Sequence, residues 1–101
     1  MASYLAGKVV IVAGAGDDAQ RGVVVALADG GADVVVAGLA PDLAAEAALN
    51  SIANEVWALG RRSAVVTLSA LDDAGLAAGR EQARAELGSC DLMLRCEGAA
   101  G

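Results

Sequence analysis

The residues best suited to chemistry in this 101-residue chain are two glycines and the side chains that follow them. Gly14-Ala15-Gly16-Asp17-Asp18-Ala19 comes directly after the β-branched run Lys8-Val9-Val10-Ile11-Val12-Ala13. It fits the pattern G-x-G-x-x-G/A in the context that gives the pattern meaning, a strand before and a helix after. Glycines there let the backbone turn tightly and approach a pyrophosphate, whose charge rests on the helix N-terminus. Asp17 and Asp18 set two carboxylates beside that space, where like charges repel. The same residues also suit the start of a helix, capping free N–H groups and complementing the helix dipole. Cys96 is the remaining reactive type, with Arg95 beside it. A lone cysteine is more often a small buried hydrophobe than a nucleophile.

Those residues need a frame, and the chain alternates two periodicities with no internal linker. The run of residues 8–13 reads as a strand buried on both faces. Residues 21–29 carry Val24, Ala28, Val25 and Leu27 at helical spacing and stop at Gly30-Gly31. Asp33-Val34-Val35-Val36-Ala37 is a second strand, ended by Gly38. Pro41 suits a first helical turn, and 43–59 reads as an Ala-rich helix capped by Gly60. Residues 63–68 form a third strand. Asp72 or Asp73 caps a third helix through Leu87, and Asp91-Leu92-Met93-Leu94 is a fourth strand. The order is βαβαβαβ. Crossovers of this length predict parallel strands joined right-handedly. The packing expected is an α/β, three-layer arrangement with sheet order 3-2-1-4 and three helices, the first two on one face. One domain over residues 1–98 and a flexible tail over 99–101 complete the expected organisation.

Composition narrows the class. Of the chain, 56% is hydrophobic, with 25 Ala, 12 Val, 12 Leu and no Phe, a supply of small and branched side chains for a close-packed sheet. No apolar run is long enough to span a bilayer, and no signal peptide is evident. Collagen, coiled coil, disordered tail and disulfide scaffold are excluded. Seven basic against thirteen acidic residues give a net charge of −6, which argues against nucleic-acid or anionic-membrane partners. With no His and two Cys there is little for metal chemistry or imidazole acid–base catalysis. Cys90 and Cys96 flank one strand, about 20 Å apart at about 3.3 Å per residue. A disulfide needs Cα atoms within about 7 Å, so a cytoplasmic setting is expected.

From Leu5 to Gly98 the chain resembles the N-terminal half of the short-chain dehydrogenases/reductases. Leu5-Ala6-Gly7-Lys8-Val9-Val10-Ile11-Val12-Ala13-Gly14-Ala15-Gly16 is similar to that family's L-x-G-K lead and T-G-x-x-x-G-x-G turn. Residues 50–62 (NSIANEVWALGRR) look like the end of its second helix in some members. Asp91-Leu92-Met93-Leu94 takes the place of the strand before its N-N-A-G motif. The resemblance implies a Rossmann-type sheet, an NAD or NADP cofactor, and oxidation or reduction of an alcohol or carbonyl.

Departures from that pattern shape the expectation. The second and third glycines of the family turn fall on Asp18 and Gln20, and its Thr on Ala13. Where an acidic residue or Arg would select NAD or NADP stand Gly38 and Leu39. The Asp beside the adenine falls on Ser69, and N-N-A-G on Arg95-Cys96-Glu97-Gly98. Asp42 is better explained as a helix cap. The resemblance thus assigns the cofactor to Gly14, Gly16, Asp18, Gln20, Leu39, Ala70 and Gly98, and binding is expected to be weak. The family's catalytic Ser and Tyr-x-x-x-Lys lie beyond where this chain stops. Tyr4 and Lys8 share that spacing, but Gly7 and the following strand preclude a common helical face. No residue is assigned to catalysis. The expectation is a nucleotide-binding half of an oxidoreductase, inactive as an isolated chain and either truncated or part of a longer enzyme. A non-catalytic domain with a decayed site, acting in association, is the alternative. Trp57 is expected to pack against the sheet.

Counting layers leads to association. Four strands span about 19 Å and one helix about 10 Å, so the third helix should leave roughly half of its face bare. Strand four also lacks an outer neighbour. A homo-oligomer joined there is the expectation.

Overall fold

The computed structural model describes residues 4–96. Gly98 and the tail at 99–101 lie outside the described residues. The elements are β1 (Val9–Gly14), α1 (Asp18–Asp29), β2 (Asp33–Gly38), α2 (Leu43–Ala58), β3 (Ser63–Thr67), α3 (Asp73–Leu87) and β4 (Leu92–Arg95). All pairings are parallel and the strand order is β3-β2-β1-β4. Each helix opens on an aspartate whose side chain accepts from the backbone N–H three residues on. Asp17 accepts from Gln20, Asp42 from Ala45 and Asp72 from Gly75. The Asp17 cap starts α1 one turn earlier than apolar spacing suggests, and Asp42 leaves Pro41 outside α2 rather than in its first turn.

Two apolar layers hold the sheet. Val10, Val12, Val34 and Val36 meet Val24 and Ala28 of α1 and Leu49, Ile52 and Val56 of α2. On the other face Val9, Ile11, Ala13, Val35 and Ala37 meet Ala83 of α3, with Leu76, Leu87 and Met93 packed around them. Each fully buried Val or Ile contributes about 1.5–3 kcal/mol relative to exposure, so these alternating residues fix which helix lies on which face.

That second face is not half bare, as layer counting suggests. Val9, Ile11, Ala13, Val35 and Ala37 are at most 1% exposed. Two glycines of α3 explain the difference. Gly75 lies against the Ala70 backbone, and a Cβ on Gly79 would sit 2.5 Å from Leu68 Cδ2, so the helix sinks onto the strands. Exposure on the sheet falls on its two edge strands, β3 and β4, and Leu92 of β4 is 48% exposed. Trp57, expected against the sheet, is 66% exposed. It lies one step of about 100° round α2 from Val56, which ends the buried stripe.

The amino edge of the sheet is tied by charge. Asp33 takes the backbone N–H, Nε and Nη2 of Arg62. The Asp91 carboxylate accepts from Val9 N at 2.8 Å while its own N–H donates to Val9 O. Those ties settle where β3 and β4 begin, and so which residues emerge at the carboxyl edge.

Candidate functional site

At the carboxyl edge, β1 and β2 end on Gly14 and Gly38. Gly16 has φ +74°, a left-handed turn that an L side chain rarely adopts. Asp17 then opens α1, half-buried, and Asp18 is exposed in the first turn. Arg21, the nearest cation in sequence, is turned away to Glu55 of α2 at 2.9 Å.

Gln20 occupies the centre of the turn. It is 0% exposed, the one polar residue among the fully buried side chains described. Its Oε1 accepts from Gly16 N at 2.7 Å, and its Nε2 donates to Val12 O and Ala37 O, both at 2.9 Å. The carboxamide lies over Gly14, where a Cβ would meet Gln20 Cδ at 2.9 Å. Asp17 and Gln20 thereby form a variant of the reciprocal helix cap. Asp17 accepts from the Gln20 N–H, and Gln20 reaches back to the N–H that precedes the cap residue. The signal D-x-x-Q was present in the sequence. Read only as a lost glycine, Gln20 reveals nothing of where its side chain points.

Along the same edge of the sheet lies an open crevice of about 270 Å³, between the chain leaving β2 (Leu39, Ala40, Pro41) and that leaving β3 (Thr67, Leu68, Ser69). Its lining is mainly apolar. The structure brings Gly14, Gly16, Asp18 and Gln20 into one turn and places Leu39 in the crevice. Ala70 instead turns its backbone to Gly75 at the start of α3, and Ser69 takes the lining position. Two further concavities, of about 260 and 310 Å³, lie along β4 against Asp91 and Leu92, away from the glycine turn.

Cys96 follows β4, its N–H donating to Ala13 O at 2.7 Å and continuing the ladder with β1. Burial first, then the Asp17 carboxylate, push its thiol above the usual value. A thiol held in that state is a poor nucleophile at neutral pH. Both cysteines are free.

No family model matches the sequence, and no curated protein does. Solved structures do. A short-chain type dehydrogenase/reductase from Mycobacterium marinum is 25% identical with a TM-score of 0.74, over 92% of this chain and 37% of its own. A blue fluorescent protein from a metagenomic library, in complex with NADPH, is 28% identical with a TM-score of 0.75, over 88% and 35%. Carveol dehydrogenase from Mycobacterium avium, in complex with NAD, is 27% identical with a TM-score of 0.72, over 88% and 35%. The chain therefore spans little more than a third of the length of these structures. In strand order and glycine turn, and by these likenesses, the chain is similar to the N-terminal part of solved short-chain dehydrogenases/reductases.

Proposed function

We propose that this chain supplies the dinucleotide-binding portion of an NAD(P)-dependent oxidoreductase acting on an alcohol or carbonyl. One observation carries the reading. The glycine turn lies at the carboxyl edge of a parallel sheet, beside the point between β1 and β4 where the crossovers change face, the place where such sheets bind ligands, and the crevice opens along the same edge after β2 and β3. Similar structures with NADPH and with NAD support a nicotinamide dinucleotide.

The two ends of the site fit that cofactor unequally. The crevice from Leu39 to Ser69 is apolar and open, suited to a flat base. At the turn, the space over Gly14 holds Gln20, and the Gly16 N–H is already bonded. The pyrophosphate end does not fit as built. Leu39 offers neither a carboxylate nor a guanidinium to the ribose, so no preference between NAD and NADP belongs to the proposal. Turnover is not assigned to the described residues of this chain. A cytoplasmic location rests on the two cysteines at opposite ends of β4, beyond bridging reach. Association through β4 rests on its half-open edge.

Titration calorimetry with NADH and NADPH tests the reading. The expected result is weak binding in the high-micromolar range, about 5 kcal/mol, alike for both. No heat with either at millimolar concentration would overturn it, whereas tight binding with a clear preference would keep it and overturn the misfit of the pyrophosphate end.

A further inference from the structure

We infer that Gln20 is a built-in occupant of the phosphate-binding turn, and that it makes this site select against the pyrophosphate group while leaving the base-binding crevice open. This rests on the dinucleotide reading above and deepens it. A turn that receives an anion presents backbone N–H groups without intrachain partners, and bare space over its first glycine. Here both are taken by one side chain. The carboxamide oxygen stands where an anionic oxygen would accept from Gly16 N, and the amide nitrogen is held by carbonyls of β1 and β2. Those carbonyls are what make the occupant hard to displace. A pyrophosphate oxygen could replace Oε1 at Gly16, but as an acceptor it could not replace the donor that Gln20 adds to Val12 O and Ala37 O, carbonyls that the β1–β2 ladder already engages. Displacing Gln20 would therefore forfeit two buried hydrogen bonds to sheet carbonyls that the ligand cannot replace. The half-buried Asp17 and exposed Asp18 carboxylates add repulsion at the same spot.

The test compares the wild-type chain with Gln20→Gly and Gln20→Ala, titrated with adenosine, ADP-ribose and NADH. Circular dichroism and melting identify any variant that does not fold. Wild type should bind all three alike, since the diphosphate adds nothing. Either folded variant should bind ADP-ribose and NADH at least about tenfold more tightly, the scale of one charge-assisted hydrogen bond regained, with adenosine unchanged. A wild-type chain that already binds NADH far more tightly than adenosine overturns the inference. So does a folded variant that gains nothing for the diphosphates. In that case retained adenosine binding leaves the broader reading standing, and its loss in wild type removes that reading as well. A second readout needs no variant. Amide hydrogen exchange on wild type should show Gly16 N–H protected and unchanged by saturating NADH. A Gly16 amide that exchanges freely, or whose protection changes with ligand, overturns the inference.

Discussion

The turn after β1 and the crevice after β2 and β3 share one edge of one sheet, yet they settle their polar groups in opposite ways. In the turn, one buried side chain joins Gly16, Val12 and Ala37, so three elements close on each other. In the crevice, Leu39 and Ser69 are exposed, and the two walls are joined by a backbone bond, Leu68 N–H to Gly38 O at 2.8 Å. The difference teaches that a glycine-rich turn is not in itself a receptive one. What matters is whether its N–H groups still lack partners once the chain has folded.

The sharpest way to break the contrast is to remove the polar tie while keeping the bulk. Gln20→Leu removes three hydrogen bonds, leaves the Gly16 N–H without its acceptor and should cost about 3 kcal/mol in urea unfolding, with the slope unchanged. Leu39→Ser and Ser69→Ala in the crevice should stay within about 0.5 kcal/mol. Equal costs on the two sides would erase the distinction.

Next in size is an electrostatic effect. Asp17→Asn keeps a good helix cap, so stability should change by less than about 0.5 kcal/mol. It removes the carboxylate that adds to burial in raising the Cys96 thiol. The pH midpoint for alkylation of Cys96 should move down, toward that of an ordinary cysteine, without reaching it because burial persists. An unmoved midpoint would mean that Asp17 and Cys96 do not sense each other across the turn. The smallest effect concerns Asp18, which is exposed. Asp18→Gly should tighten NADH binding by roughly two- to threefold and leave adenosine binding alone, the size of a screened surface charge. A larger gain than Gln20→Gly produces would show that charge, rather than occupancy, governs the turn.

Much of the fold was legible because parallel sheets write their burial plainly. Uniform runs such as Val34-Val35-Val36 can only be strands covered on both faces, and the Ala-rich stretch between Pro41 and Gly60 can only be a crossover helix. Strand order and the faces taken by the helices followed. What escaped depended on distances that spacing does not encode. The depth to which α3 sinks depends on Gly75 and Gly79 meeting particular atoms of Ala70 and Leu68. Trp57 is set by where α2 ends relative to the sheet. At the site, the residues of the turn were identified, yet Gln20 has three torsions, and residue type alone cannot say that they aim inward. Ala70 and Ser69 differ by one position, enough to exchange a backbone contact for a lining side chain.

The close seat of α3 has a consequence for how the molecule opens. A helix that approaches through absent side chains has few of its own to hold it. Ala83 is its one fully buried hydrophobic residue, whereas α2 buries Leu49, Ile52, Ala53 and Val56. An interior glycine such as Gly79 also lowers helix propensity by about 1 kcal/mol relative to alanine. The two faces of the sheet therefore differ in local unfolding free energy. Amide hydrogen exchange is expected to find α3 opening at a lower free energy than α1 and α2.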